Sequence, residues 1–279
     1  MPNAPVLPMT AWRVAVAGVA VMATACTSGP APPAADAPQA EVVLEAREAL
    51  GEPMLDLAEA VVELSEGLDA ARHRARRGEE MAGALDDVEQ QITTVRDAAA
   101  GGRAAADEAP VDAAAQIVRE AADRADAAAD AAAAELSYLR DLNRVDLALI
   151  GAAATWDAPG SQSEIRARLD GLDGQVAAQR RRVRRLRPVP RRCSAMVDNR
   201  REWIGVVRRR TANLRANAHS GAGETFDRLR AAYRPLPFGV EPRIADRADL
   251  QCWERRSGVP RAADDLRGAV DELRRSLSG

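Results

Sequence analysis

The sequence is poor in aromatic residues and contains no lysine. Aromatic residues make up 3% of the 279 positions, whereas apolar residues reach 47%, so the apolar content is mainly alanine, valine and leucine. This composition favours helix packing over a β-sandwich, because the pleated faces of a sheet are typically filled with β-branched and aromatic residues. Charged residues reach 29% and are interleaved with the apolar ones, a pattern typical of long amphipathic helices.

The sequence also lacks every common catalytic motif. A nucleophile elbow, an HExxH helix, a Walker loop, a dinucleotide-binding fingerprint and a CxxC pair are all missing. His73 shares a helix face with Asp69 and Glu66, but no second cluster supplies further metal ligands, and a cation near a helix end complements the helix dipole. We therefore predict a protein that is not an enzyme and has no cofactor and no metal.

Charge is distributed unevenly along the chain. Residues 41–160 carry 26 acidic residues and 11 arginines, whereas residues 161–279 carry 27 arginines and 15 acidic residues. The two halves could pack against each other as complementary faces, which is the simpler interpretation. Alternatively, the basic half could bind anionic lipid or an anionic polymer of the cell envelope.

A short apolar segment stands near the amino terminus. Val14–Ala25 is a 12-residue apolar run behind Arg13. It is shorter than the roughly 20 residues that a membrane-spanning helix needs and has the proportions of a signal peptide, whether translation starts at Met1 or at Met9. The run ends in Ala23-Thr24-Ala25-Cys26, which resembles the lipobox of bacterial lipoprotein precursors.

The resemblance to lipoprotein precursors implies cleavage before Cys26 and a diacylglycerol on its thiol. The protein would then be held by this lipid at the extracytoplasmic face of the cell membrane. Ala-Thr-Ala also fits ordinary signal peptidase, which would leave Cys26 unmodified. With Cys26 lipidated, Cys193 and Cys252 form an even pair, and we predict a disulfide between them.

Apolar residues recur every three or four positions from Glu41 onward, which predicts an all-α fold. We expect an elongated antiparallel bundle of coiled-coil-like hairpins with a small helical cap, stapled by the disulfide, at about residues 190–257. Gly51-Glu52-Pro53 is expected to start a new helix, and Gly101-Gly102 to form a turn. The predicted regions are a signal peptide at 1–25, a lipidated cysteine and Pro/Ala-rich tether at 26–40, a long-helix bundle at 41–187, and a C-terminal helical region with the aromatic cap at 188–279.

Two candidate sites follow from composition. Residues 180–210 contain 13 arginines and two acidic residues, and the candidate contact for an anionic polymer is the set Arg180, Arg181, Arg182, Arg184 and Arg185. Inside a cell such a run would suggest nucleic acid, but export argues against this, and a solvated helix face paired with the acidic half is the alternative. The second site is a ligand pocket in the cap formed by Trp203, Phe238 and Trp253.

We therefore predict a membrane-anchored lipoprotein that acts as a non-catalytic helical interaction or structural module of the cell envelope. Its expected partners are the membrane, through the lipid, and an envelope protein or an anionic polymer, with no nucleic acid. The alternative is an extracytoplasmic ligand-binding or sensory module that uses the aromatic pocket.

Overall fold

The structure, a computed structural model, describes residues 37–77, 80–156, 160–219, 223–233 and 251–278, and within these ranges it contains helices and connecting turns but no strand. The all-α prediction is confirmed. The predicted signal peptide, Cys26, most of the tether and Phe238 lie outside the described residues. The helices are α1 (Ala37–Arg77), α2 (Ala82–Glu108), α3 (Asp112–Ala154), α4 (Gln162–Arg185), α5 (Ala195–His219), α6 (Gly223–Tyr233) and α7 (Gly258–Ser276), with a helical turn at 251–256 before α7.

The prediction that Gly51-Glu52-Pro53 starts a new helix was wrong, because α1 continues through Pro53. A proline inside a helix costs about 3 kcal/mol. Leu50, Met54 and Leu57 flank it and are almost fully buried, and each buried side chain of this size stabilises the helix by about 1.5–3 kcal/mol. The free energy gained by burying the apolar face of α1 therefore exceeds the cost of its proline. The helix also begins at Ala37, so it includes the last residues of the predicted tether.

The turn predicted at Gly101-Gly102 was also wrong, because α2 runs through both glycines to Glu108. Gly102 is buried, and a methyl group on its Cα would lie 3.5 Å from Val118 Cγ1 of α3. An alanine here would make an ordinary van der Waals contact with α3, so the packing of the two helices does not require the glycine. The chain turns instead at Ala109-Pro110, since the residue before a proline avoids the helical conformation.

α3 is the central helix and contacts α2, α4, α5 and α7. Its alanine-rich first half is buried along one seam rather than exposed. Ion pairs give the direction of α2 relative to α3, because partners that come later in α2 contact residues that come earlier in α3. The two helices are therefore antiparallel. The pairs are Arg140–Glu89, Arg96–Asp130, Arg103–Asp126 and Arg119–Asp107.

α4 begins with a capping box. The Ser161 side chain accepts from the backbone N–H of Glu164, and the Glu164 carboxylate accepts from the Ser161 backbone N–H at 2.7 Å. The helix ends before Pro188, and the following Val189-Pro190 peptide bond is cis. α5 then runs back along α4, where Arg215 pairs with Asp173 and Arg166 donates to the Ala218 carbonyl.

The capping box supports a prediction for pH dependence. Hydrogen bonds from the backbone and side chain of Ser161 lower the pKa of Glu164 below its usual range. Stability from this carboxylate is therefore present above its usual pKa and is lost as the pH falls through the lowered pKa. Removing the hydroxyl in Ser161→Ala should raise the pKa of Glu164 in an NMR titration, whereas Ser278→Ala, whose hydroxyl donates to the Arg274 carbonyl instead, should leave it near the wild-type value. If the pKa of Glu164 is unchanged in Ser161→Ala, the side-chain hydrogen bond of the capping box is contradicted.

No helix in the part of the chain that the structure describes is long and apolar enough to cross a membrane.

Candidate functional site

The predicted disulfide between Cys193 and Cys252 is confirmed. The two Cα atoms lie 5.7 Å apart, and the bond closes a sequence separation of 59 residues. It joins the segment between α4 and α5 to the helical turn at 251–256 that precedes α7. Both cysteines lie within the predicted C-terminal region at 188–279, so the bond closes a loop inside that region.

A buried guanidinium lies beside this disulfide. Arg72 of α1 is fully buried, and its Nε–H donates to Glu135 of α3 while Nη2 donates to the carbonyl of Val189. Trp253, next to Cys252, donates from its indole Nε1 to the other oxygen of Glu135 at 2.8 Å. The Arg72 guanidinium also lies 5.3 Å from the centroid of the Trp253 ring, a cation–π distance. Cluster 1 (Arg72, Glu135, Trp253) thus connects α1, α3 and the cap.

A second cluster repeats this chemistry. Arg200 of α5 is buried and binds Asp146 of α3 through two parallel hydrogen bonds, at 2.9 and 2.6 Å. Its Nη2 also donates to the carbonyl of Ala75, in the last turn of α1, where carbonyls lack helical partners. The guanidinium lies 4.5 Å from the centroid of the Trp203 ring. Cluster 2 (Arg200, Asp146, Trp203) therefore joins three helices.

The charges of cluster 2 are balanced within the protein. Burial raises the pKa of the Asp146 carboxyl, and the positive charge of Arg200, together with its hydrogen bonds, opposes the rise. A buried ion pair of this kind is weak evidence for net stability, but the loss of one partner leaves an uncompensated charge. The cluster therefore depends strongly on the presence of both partners.

Trp203 and Trp253 of the predicted aromatic pocket occupy these two clusters. Both rings are buried and each faces a guanidinium. Phe238, the third predicted pocket residue, lies outside the described residues. The pocket therefore stays a prediction.

Sequence analysis missed the four charged members of the clusters, although the heptad spacing contains a signal for two of them. Arg72 follows Leu68 by four positions, and Asp146 stands between Leu142 and Leu149, so each occupies a slot that the repeat reserves for an apolar residue. Charged residues in such slots indicate buried ion pairs, because an unpaired buried charge is too costly to retain.

The predicted anion-contact residues lie together at the end of α4. The arginine-rich segment, residues 180–192, contains eight arginines and no acidic residue, and all eight are exposed. Among the residues that the structure describes, none of the eight forms an ion pair with a carboxylate. Elsewhere, exposed Arg96 and partly exposed Arg103 and Arg140 are paired across helices. The predicted alternative, in which this face is neutralised by the acidic half, stays a prediction: the described residues form no such ion pair, although Asp141 of the acidic half lies near this face.

Part of this segment borders an open groove with a volume of about 370 Å³. We call it the basic groove; it is lined by Asp141 of α3 and by Ala178, Gln179, Arg181, Arg182, Arg185 and Leu186. Asp141 is engaged by Arg144 of its own helix at 3.0 Å. Arg182 donates to the Gln179 side-chain oxygen at 3.4 Å. The lining is thus strongly cationic and rich in hydrogen-bond donors.

His73 contacts its own helix: Nδ1 lies 2.9 Å from the Asp69 carbonyl oxygen and 3.3 Å from the carboxylate. Across the described ranges, no group of three histidine, cysteine, aspartate or glutamate side chains is arranged to hold a metal ion.

Comparison with known proteins does not assign the chain to a family. No family model matches it, and no curated protein or solved structure is significantly similar to it.

Proposed function

We propose that the protein is a lipoprotein of the cell envelope, anchored through Cys26 at the extracytoplasmic face of the membrane, whose helical body is a non-catalytic interaction module. The observation that carries this proposal is the Cys193–Cys252 disulfide. Structural disulfides persist mainly in oxidising compartments outside the cytosol. The bond also uses two of the three cysteines and leaves Cys26, which follows the signal-peptide-like segment, as the odd one.

The interaction part of the proposal is supported by the arginine-rich segment. Long arginine side chains that extend into solvent without a carboxylate partner are available for an external anion. A protein held at the cell surface meets anionic groups there, and opposite charge accelerates their encounter with a basic face. The buried clusters 1 and 2 hold α1, α3 and α5 together and so provide a rigid support for this face.

Metabolic labelling with palmitate tests the anchor. The wild-type chain should incorporate the label and partition into detergent, and Cys26→Ala should abolish both. The matched control is Cys193→Ala/Cys252→Ala, which also lacks cysteines but retains Cys26, and it should be labelled. Equal partitioning of the wild type and Cys26→Ala, or retention of the chain in the cytosol, would contradict the proposal.

A further inference from the structure

We propose that the basic groove binds phosphate groups of an anionic phosphodiester polymer. This inference deepens the proposed function, because it names the ligand chemistry of the interaction module. It rests on the position, exposure and missing carboxylate partners of the arginines in the segment 180–192.

Compensation of the helix dipole does not account for this number of arginines. α4 ends at Arg185, and the negative end of a helix dipole corresponds to about half a unit charge. Arg181, Arg182 and Arg185 together supply three positive charges to the groove, and the one acidic lining residue, Asp141, is already engaged by Arg144. The groove therefore keeps a net positive charge after the dipole is compensated.

The donors in the groove suit a phosphate group. Each guanidinium presents a planar fork of N–H donors that can bind two oxygens at once, and a phosphate offers several acceptor oxygens. Arg181 and Arg185 are four positions apart, so they lie on one face of α4, with Arg182 beside them. Gln179 uses its oxygen on Arg182, which leaves its amide N–H groups as further donors. Three arginines can thus contact one anion from different sides.

The extent of the basic surface favours a repeating anion over a single free phosphate. Five further exposed arginines continue the charge beyond the groove: Arg180, Arg184, Arg187, Arg191 and Arg192. A chain of phosphodiesters can contact many of these arginines at the same time, and such multiple contacts raise the overall affinity far above that of one site.

The arginine-rich segment contacts α1 near the carboxyl end of that helix. Arg72, which binds the Val189 carbonyl within the segment, lies 31 residues after Glu41. At 1.5 Å per residue this is roughly 45 Å of helix.

Binding of a glycerol phosphate oligomer tests the proposal. The full chain carrying Cys26→Ala, which has no lipid, is titrated with the oligomer at low salt. Adding Arg181→Gln/Arg182→Gln/Arg185→Gln should weaken binding at least tenfold. The matched control is Arg228→Gln/Arg267→Gln/Arg274→Gln, which removes the same charge from exposed arginines that pair with acidic residues of their own helices, and it should bind within twofold of the parent. Equal losses of affinity in the two triple variants would overturn the proposal that the basic groove is the binding site.

Lysine variants distinguish binding through the paired hydrogen bonds of a guanidinium from binding through positive charge alone. Arg181→Lys/Arg182→Lys/Arg185→Lys keeps the charge and should still bind at least threefold more weakly than the parent, because an ammonium group cannot make the paired hydrogen bonds. If this variant binds with the affinity of the parent, the guanidinium groups do not recognise the phosphate through paired hydrogen bonds. Circular dichroism and the mass of the non-reduced chain verify that each variant retains its helices and its disulfide.

Two further ligands distinguish the source of the anion. Vesicles of phosphatidylglycerol and a glutamate oligomer of matched charge should both bind more weakly than the glycerol phosphate oligomer. Tighter binding of either ligand through the same arginines would overturn the proposal in favour of lipid or carboxylate. Palmitate labelling is independent of these titrations. If the chain is labelled but does not bind the oligomer, only the proposed phosphate site is contradicted. If the chain binds the oligomer but is not labelled, only the proposed lipid anchor is contradicted.

Discussion

Replacing Arg200 by methionine is expected to lower the free energy of unfolding by about 3–5 kcal/mol, because Asp146 is left buried without its partner. The substitution also removes the donor to the Ala75 carbonyl in the last turn of α1 and the cation on the Trp203 ring. Methionine fills much of the same volume, so the loss reports mainly the unpaired charge. Urea denaturation followed by circular dichroism measures the change.

Two controls show whether the cost comes from the unpaired charge. Arg201→Met changes the adjacent arginine, which is exposed and pairs with Asp198 within α5, and it should cost less than about 1 kcal/mol. The double variant Arg200→Met/Asp146→Leu should recover most of the stability, because a buried ion pair can often be replaced by apolar residues of similar volume. A double variant no more stable than Arg200→Met would contradict this explanation.

The cost of Arg200→Met should also depend on pH. Burial raises the pKa of Asp146, and the substitution removes the charge that opposes the rise. The folded variant then holds a proton that the unfolded chain releases above the usual pKa of an aspartate, so its stability falls as the pH increases. The loss relative to wild type should therefore be larger at pH 8 than at pH 5. A constant loss would show that Asp146 stays ionised in the variant.

Removing the disulfide has the second large expected effect. Cys193→Ala/Cys252→Ala opens a loop whose ends are 59 residues apart, and the gain in entropy of the unfolded chain should lower the free energy of unfolding by about 4 kcal/mol. Cluster 1 should be affected as well, because Trp253 and Val189 lie close in sequence to the two cysteines and both bind members of this cluster.

The size of this effect is tested by urea denaturation of the double variant and of the wild type under reducing conditions, which should agree. Cys26→Ala is the control, since it removes a cysteine that is not part of the disulfide, and it should unfold at the wild-type urea concentration. If the double variant is as stable as the wild type, the cap is held by its non-covalent contacts alone.

Local pattern in the sequence predicted the helical class, and the two predicted helix boundaries that were wrong have one cause. The periods of three and four in α1 and α2 continue across Pro53 and Gly102, and burial of these apolar seams outweighs the local cost of proline and glycine. Sequence analysis did not use two local signals at which the structure places helix boundaries, the capping sequence before α4 and the proline after α2.

The sequence by itself determined the helical class of this protein, since helix periodicity is a property of residues close together in the chain. The predicted disulfide pair depended in addition on the resemblance of Ala23-Thr24-Ala25-Cys26 to a lipobox. Only the tertiary structure decided which charges are buried and which are free. Arg72 and Arg200 belong to the same residue type as Arg181 and Arg185, but Glu135 and Asp146 are brought to the first two by helix packing across more than 50 positions of sequence. At the end of α4 no described carboxylate forms an ion pair with the arginines, since Asp141 of α3, which lines the groove, pairs with Arg144 of its own helix. The surface that we propose as a phosphate site is therefore a product of packing.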